Sequence, residues 1–126
     1  MSKERKKAIK RLDKVWGQII HLRDKQCQIC GKIEGTNAHH ICTKSRMNTR
    51  FDLENGILLC CYHHTLSKDM SAHKAHRNFD IWLINKKGKK WLDTLEHRSQ
   101  IDAHGLDLKL IEIYLKLEYD KFKKMP

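Results

Sequence analysis

Cys27-Gln-Ile-Cys30, Ala38-His39-His40-Ile41, Asn55-Gly56-Ile57-Leu58-Leu59-Cys60 and His63-His64 follow one another within a single stretch of this chain. Cys-x-x-Cys and, thirty residues on, Cys-x-x-His read as the two halves of one metal site. Zinc takes four thiolate or imidazole ligands in a tetrahedron, so Cys27, Cys30, Cys60 and His63 make a complete structural zinc set. His39, His40, Asn55 and His64 are left over, and their residue types suit chemistry.

Outward from that stretch, the whole chain has 126 residues, one domain's worth. Lys and Arg number 26 against 15 acidic residues, a net charge of +11. This excess favours a polyanionic partner and predicts binding that weakens steeply with salt. No apolar run approaches the ~20 residues that span a bilayer, and no signal-peptide core follows the charged start. The expectation is a cytoplasmic protein without a membrane partner. Thiols stay reduced there, so the five cysteines point to metal rather than disulfides. Cys42 and Cys61 are then bystanders.

Apolar residues at Leu12, Val15, Trp16, Ile19 and Leu22 have helical spacing. They predict a basic amphipathic helix over residues 3–24. Cys27 to Gly31 reads as a tight turn, Ala38 to Ile41 and Gly56 to Leu59 as short strands, and Thr43 to Arg50 as a polar loop. Cys60 to Ser67 predicts a short helix. From Ser71 the helical pattern returns through Phe79, Trp82 and Leu83 and ends at Gly88. Another short helix carries Trp91, Leu92 and Leu95, His97 to Gly105 reads as a turn, and Asp107 caps a last helix. The expected class is α+β. A small ββα core with structural zinc, treble-clef-like, covers residues 25–70 of a single domain, 1–126. The basic helix precedes it and a helical frame, 71–126, follows.

Neighbouring strand residues point to opposite faces, so His39 and His40 cannot share one task. One can bind a metal ion while the other addresses water or substrate. Neighbouring helix residues lie about 100° apart, so His63 can face zinc while His64 faces the hairpin. Asn55 can hold a loop or orient an imidazole. His73, His76, His97 and His104 read as surface or core histidines, with His73 nearest to the chemistry.

The ordered set Cys27-x-x-Cys30, His39-His40-Ile41, Asn55-Gly-Ile-Leu-Leu-Cys60 and His63-His64 resembles the HNH endonuclease motif with its ββα-metal core. Arg50-Phe51-Asp52 and Ser71-Ala72-His73-Lys74 are similar to small phage HNH proteins. Leu22-Arg23-Asp24 and the trailing helices are, more loosely, similar to phage NinG/Rap-type recombination nucleases. The resemblance implies that His39 and His64 bind a catalytic divalent ion and that His40 is the general base. Asn55 is then the middle residue of the motif, constraining the hairpin loop. It implies metal-dependent hydrolysis of DNA to 5′-phosphate and 3′-hydroxyl ends, in a phage or bacterial setting. The ion would be Mg²⁺, Mn²⁺, Ni²⁺ or Zn²⁺, and no small-molecule cofactor is implied. Where some relatives have a further histidine this chain has Lys68, so His73 or water completes the shell. Zinc-bearing relatives usually have four cysteines, and His63 stands here in the last place.

Lys44, Arg46 and Arg50 in the inter-strand loop, with Lys68 and Lys74 beside the metal helix, are the candidate phosphate contacts. Such contacts carry no sequence information, and nothing resembles a base-reading module, so weak sequence specificity is expected. The rival readings are a structure-specific nuclease for branched DNA and, outside enzymes, a zinc-stabilised DNA-binding domain. The oligomeric state, monomer or homodimer, is left open.

Overall fold

Ser2 accepts a hydrogen bond from the Arg5 amide and opens a long helix, α1, Lys3–Asp24. The computed structural model describes residues 1–102 and 105–126. After α1 come β1 (Thr36–His40), α2 (Met47–Arg50), a single 3₁₀ turn (Leu53–Asn55) and β2 (Gly56–Cys60). A wide π-type turn (Tyr62–Leu66), α3 (His76–Lys87), α4 (Lys89–Ser99) and α5 (Leu108–Lys123) complete the order. The chain is therefore α+β, and its two strands form one antiparallel hairpin. Among the described residues no helix is long and apolar enough to cross a membrane.

The hairpin is thin, and it is sandwiched. All of β2 is buried, which needs cover on both faces. Alternation supplies it: Leu58 enters a cluster with Leu12, Trp16, Ile19 and Ile20 of α1 and Leu115 of α5. Ile57 and Leu59 enter a second cluster with Phe79 and Leu83 of α3 and Leu92 of α4. In register, His39 lies opposite Ile57 and His40 opposite Gly56. The two histidines are thus directed to the two different layers.

Gly56 is what lets α1 approach. A methyl group there would meet Ile20 Cδ1 at 2.5 Å and Trp16 Cζ2 at 2.6 Å. The isoleucine tip can turn away, but the indole is held by its Nε1–H, which donates to the Asp52 carbonyl at 2.9 Å. Gly56→Ala should therefore cost about 1–3 kcal/mol as overpacking, seen as a lower melting temperature. An unchanged melting curve would show that α1 sits further off.

Four details differ from the sequence reading. The inter-strand loop contains the short helix α2, closed by the Thr49 amide on the Arg46 carbonyl. The expected helix after Cys60 is instead the wide turn, in which the Ser67 amide reaches back to Tyr62. The third helix begins at His76, not near Ser71, because the Ser71 hydroxyl accepts from the Lys74 amide and makes a turn of that stretch. His97 belongs to α4. His104, within the expected turn, lies outside the described residues.

Candidate metal and histidine centre

Gly31, at φ 81°, closes a knuckle in which its amide bonds to the Cys27 carbonyl and the Cys27 amide to the Lys32 carbonyl. The Gln28 amide fastens the knuckle to Leu58 of β2. Cys60 ends β2, and His63 enters from the wide turn. Cys30 Sγ lies 3.7 Å from Cys60 Sγ, and His63 Nδ1 lies 3.7 Å from Cys27 Sγ and 3.4 Å from Cys60 Sγ. A zinc tetrahedron with bonds of about 2.3 Å to sulfur and 2.0–2.1 Å to nitrogen has edges of roughly 3.5–3.8 Å. These three separations are close to such edges, all four ligand atoms lie within 4.8 Å of one another, and the Cys30 and Cys60 sulfurs are far beyond the ~2.05 Å of a disulfide. Burial raises the Cys27 thiol. Backbone hydrogen bonds at Cys60, Cys30 and Ile29 and the His63 side chain outweigh burial and bring it down to about 6. For Cys30 a backbone hydrogen bond at Lys32 acts downward, but burial and the thiols of Cys27 and Cys60 raise it overall. Crowded thiolates that hinder one another's ionisation are what a bound cation relieves. The set can hold zinc. Cys42 and Cys61 stand outside it, Cys61 exposed with its thiol on the Gly35 carbonyl.

A second group of ligand atoms forms on the α3 side of the hairpin. One nitrogen each of His39, His64 and His73 lies within 4.8 Å of the others. The Nε2 atoms of His64 and His73 are 3.1 Å apart. The backbone explains how distant residues meet: the Ala72 amide bonds to the His63 carbonyl and the His73 amide to that of His64. The segment after the wide turn thus runs back beside it. Ser67 and Ser71 brace this return, the Ser71 hydroxyl donating to the Ser67 carbonyl at 2.6 Å. The Phe79 ring meets that of His39 edge-on at 5.7 Å. Burial, then the neighbouring His64 and His73, push His39 down to about 3. Burial, then His73, also lowers His64. His39 and His64, held neutral by burial and converging with His73, are fit for a divalent ion.

His40 stands apart from this group. Its ring lies flat on the Trp16 indole, centroids 3.8 Å apart and planes at 6°. Its Nε2–H donates to the Arg50 carbonyl at 2.9 Å. A carbonyl can only accept, so the neutral ring carries its lone pair on Nδ1. Burial lowers the His40 pKa, and the bond to the Arg50 carbonyl works against that fall. Both hairpin histidines, with His64 and His73, line one open cleft of about 590 Å³, together with Lys44 and Asp80.

Asn55 is fully buried and holds the loop rather than an imidazole. Its Oδ1 accepts from the Cys42 amide at 2.6 Å, and its Nδ2 donates to the carbonyls of Cys42 and Thr49. This fixes α2 against the hairpin and so sets the height of the Arg50 carbonyl. The Arg50 side chain is not offered outward to a phosphate. Its guanidinium forms a fork on the Asp13 carboxylate at 2.6 and 2.9 Å, and that pairing raises its pKa. Lys44, Arg46, Lys68 and Lys74 are exposed. His76 is exposed at the cleft rim, 3.6 Å from Asp80, and His97 is exposed on α4.

Two residues that the sequence reading passed over support the site. Trp16, read there as one member of an apolar stripe, is the platform under His40, and Asp13 holds the arginine whose carbonyl orients it. The legible hint was Gly56, a glycine inside a strand, which marks a close approach of something to the sheet.

No curated protein and no solved structure gives a significant match to the chain. Residues 27–72 match the family model described as HNH endonuclease. The matched segment contains both Cys-x-x pairs and His39, His40, His63 and His64, and ends one residue before His73. It supports the HNH family, and with it a nuclease at the level of that family, for residues 27–72.

Proposed function

We propose that the chain is a metal-dependent DNA endonuclease in which His39, His64 and His73 hold the catalytic divalent ion and His40 is the general base. The observation that carries this reading is the separation of four of the cleft's histidines, His39, His40, His64 and His73, into two kinds. Three converge on one point, while the fourth is tautomerically fixed by the Arg50 carbonyl and stacked on Trp16. A zinc-stabilised binding module has no use for that division.

In the proposed reaction His40 Nδ1 takes a proton from water, and the water oxygen forms its bond to the scissile phosphorus. The bond from phosphorus to the 3′ oxygen breaks, leaving a 5′-phosphate and, after protonation from solvent, a 3′-hydroxyl. A divalent ion in the three-histidine group would supply charge stabilisation for the phosphate and the departing oxygen. The imidazolium formed at His40 keeps both Nε2–H on the Arg50 carbonyl and the indole face beneath it, each favourable to a cation. Lys44 at the cleft, with Arg46, Lys68 and Lys74, would contact phosphates, giving weak sequence preference. Arg50 acts through Asp13 and its carbonyl.

The deciding experiment is nicking of supercoiled plasmid with Mg²⁺, Mn²⁺, Ni²⁺ or Zn²⁺, run beside linear, flapped and four-way DNA. Metal-dependent nicking with 3′-hydroxyl ends is expected. Binding without cleavage under every ion would favour the non-enzymatic reading, and cleavage confined to four-way or flapped DNA would favour the branched-DNA reading.

The pH dependence follows from the direction of the His40 shift. A base must be neutral to act, and a lowered pKa keeps it neutral further into acid. The rate at saturating metal should therefore stay level down to the ordinary histidine range near 6.5 and fall only below it. An acidic limb centred above that range would contradict the buried environment of His40.

A further inference from the structure

α5 has two apolar faces. Leu108, Ile111, Leu115, Tyr119 and Phe122 pack against the α1 layer. On the other side Leu110, Ile113, Tyr114 and Leu117 are exposed, by 64, 58, 50 and 65%. Their spacing, i, i+3, i+4, i+7, is that of a helix-packing seam. Scattered exposed apolar residues are ordinary, but a continuous stripe of four along one helix marks an interface.

The stripe also states what would fit it. Read backwards it maps onto itself, with leucine facing leucine at the ends and Ile113 facing Tyr114 in the middle. Lys109 and Asp120 flank it on the same side at opposite ends, about three turns apart. Neither side chain forms an ion pair among the described residues. An antiparallel second copy sets each Lys109 within a turn of the other copy's Asp120. A two-fold interface requires this kind of self-complementarity.

We propose that α5 is a dimerisation helix, pairing antiparallel with α5 of a second copy about a two-fold axis between Ile113 and Tyr114. The inference is independent of the nuclease reading. Each copy carries a net charge of +11, so the dimer opposes a long-range repulsion that salt screens. Dimerisation should therefore strengthen with added salt, the reverse of DNA binding.

Sedimentation velocity of the full chain across the micromolar range tests this. The parent should reach a dimer. Leu110→Lys and Leu117→Lys, both at exposed positions, should stay monomeric with the parent's melting temperature. Lys109→Asp should weaken the dimer by roughly tenfold or more, through the like charges it opposes. Adding Asp120→Lys to that variant should restore the dimer. A parent that remains monomeric at all salts, a Leu117→Lys variant that dimerises like the parent, or a charge exchange that fails to restore association would each overturn the proposal.

Discussion

His40→Ala abolishes measurable nicking, by about 10²–10⁴-fold in rate, while zinc content and DNA affinity stay at the parent's values. That is the expected result if the ring only moves a proton. The side chain stands outside both groups of metal-ligating atoms. Some stability should go with it, because the variant loses the stacking on Trp16 and leaves the Arg50 carbonyl without its donor. The contrast with His39→Ala and His64→Ala is the decisive part. Those variants lose an ion ligand, so raising the divalent metal should recover part of their rate. It should not recover His40→Ala, where no ligand is missing, although free imidazole can stand in for the base. Nicking rates against metal concentration for the three variants make the comparison. Recovery of His40→Ala by metal, with none for His39→Ala, would exchange the two roles.

Removal of the knuckle metal should have the larger effect on stability. Cys60→Ser is expected to lose the bound zinc and the cooperative melting transition together. Structural zinc contributes apparent free energies of about 10–16 kcal/mol in small fingers, comparable with the whole stability of a typical domain, ~5–15 kcal/mol. Cys27 and Cys60 sit inside the cluster that joins β2 to α3 and α4. The α1–α5 cluster contains no ligand of the set, so helical signal from that pair should outlast the rest. Calorimetry with metal analysis and far-ultraviolet dichroism follow both. A zinc-free Cys60→Ser protein that still melts in one sharp transition would remove zinc from the folding account.

The helices and strands were readable from the chain wherever one local rule governed them. Apolar spacing defines α1, and Asp107, accepting from the amides of Lys109 and Leu110, opens α5 as its position suggests. That Cys27, Cys30, Cys60 and His63 come together as a group that could hold a metal ion was legible because a knuckle fixes its cysteines by short spacing. The wide turn at Tyr62–Leu66 was not, since its shape depends on pairing with Ala72 and His73. His73 could be suspected from its residue type, but its approach to His64 depends on the Ser67–Ser71 brace, which no periodicity announces. Arg50 misled for a related reason. A basic residue in a polar loop reads as exposed, and its partner Asp13 lies 37 positions away on α1.

Trp16 and Asp13 lie on α1, ahead of the matched segment 27–72. A graft of that segment into a foreign scaffold would therefore carry the zinc quartet, the loop asparagine and the hairpin histidines. It would leave behind the floor under His40 and the anchor of the arginine that aims it. Ligands are portable because the ion itself gathers them, whereas a proton acceptor has no such organiser and must inherit its pose from its host. The segment would travel well as a metal cassette of three cysteines and one histidine and poorly as the proposed catalyst, since His73, Trp16 and Asp13 all stay behind.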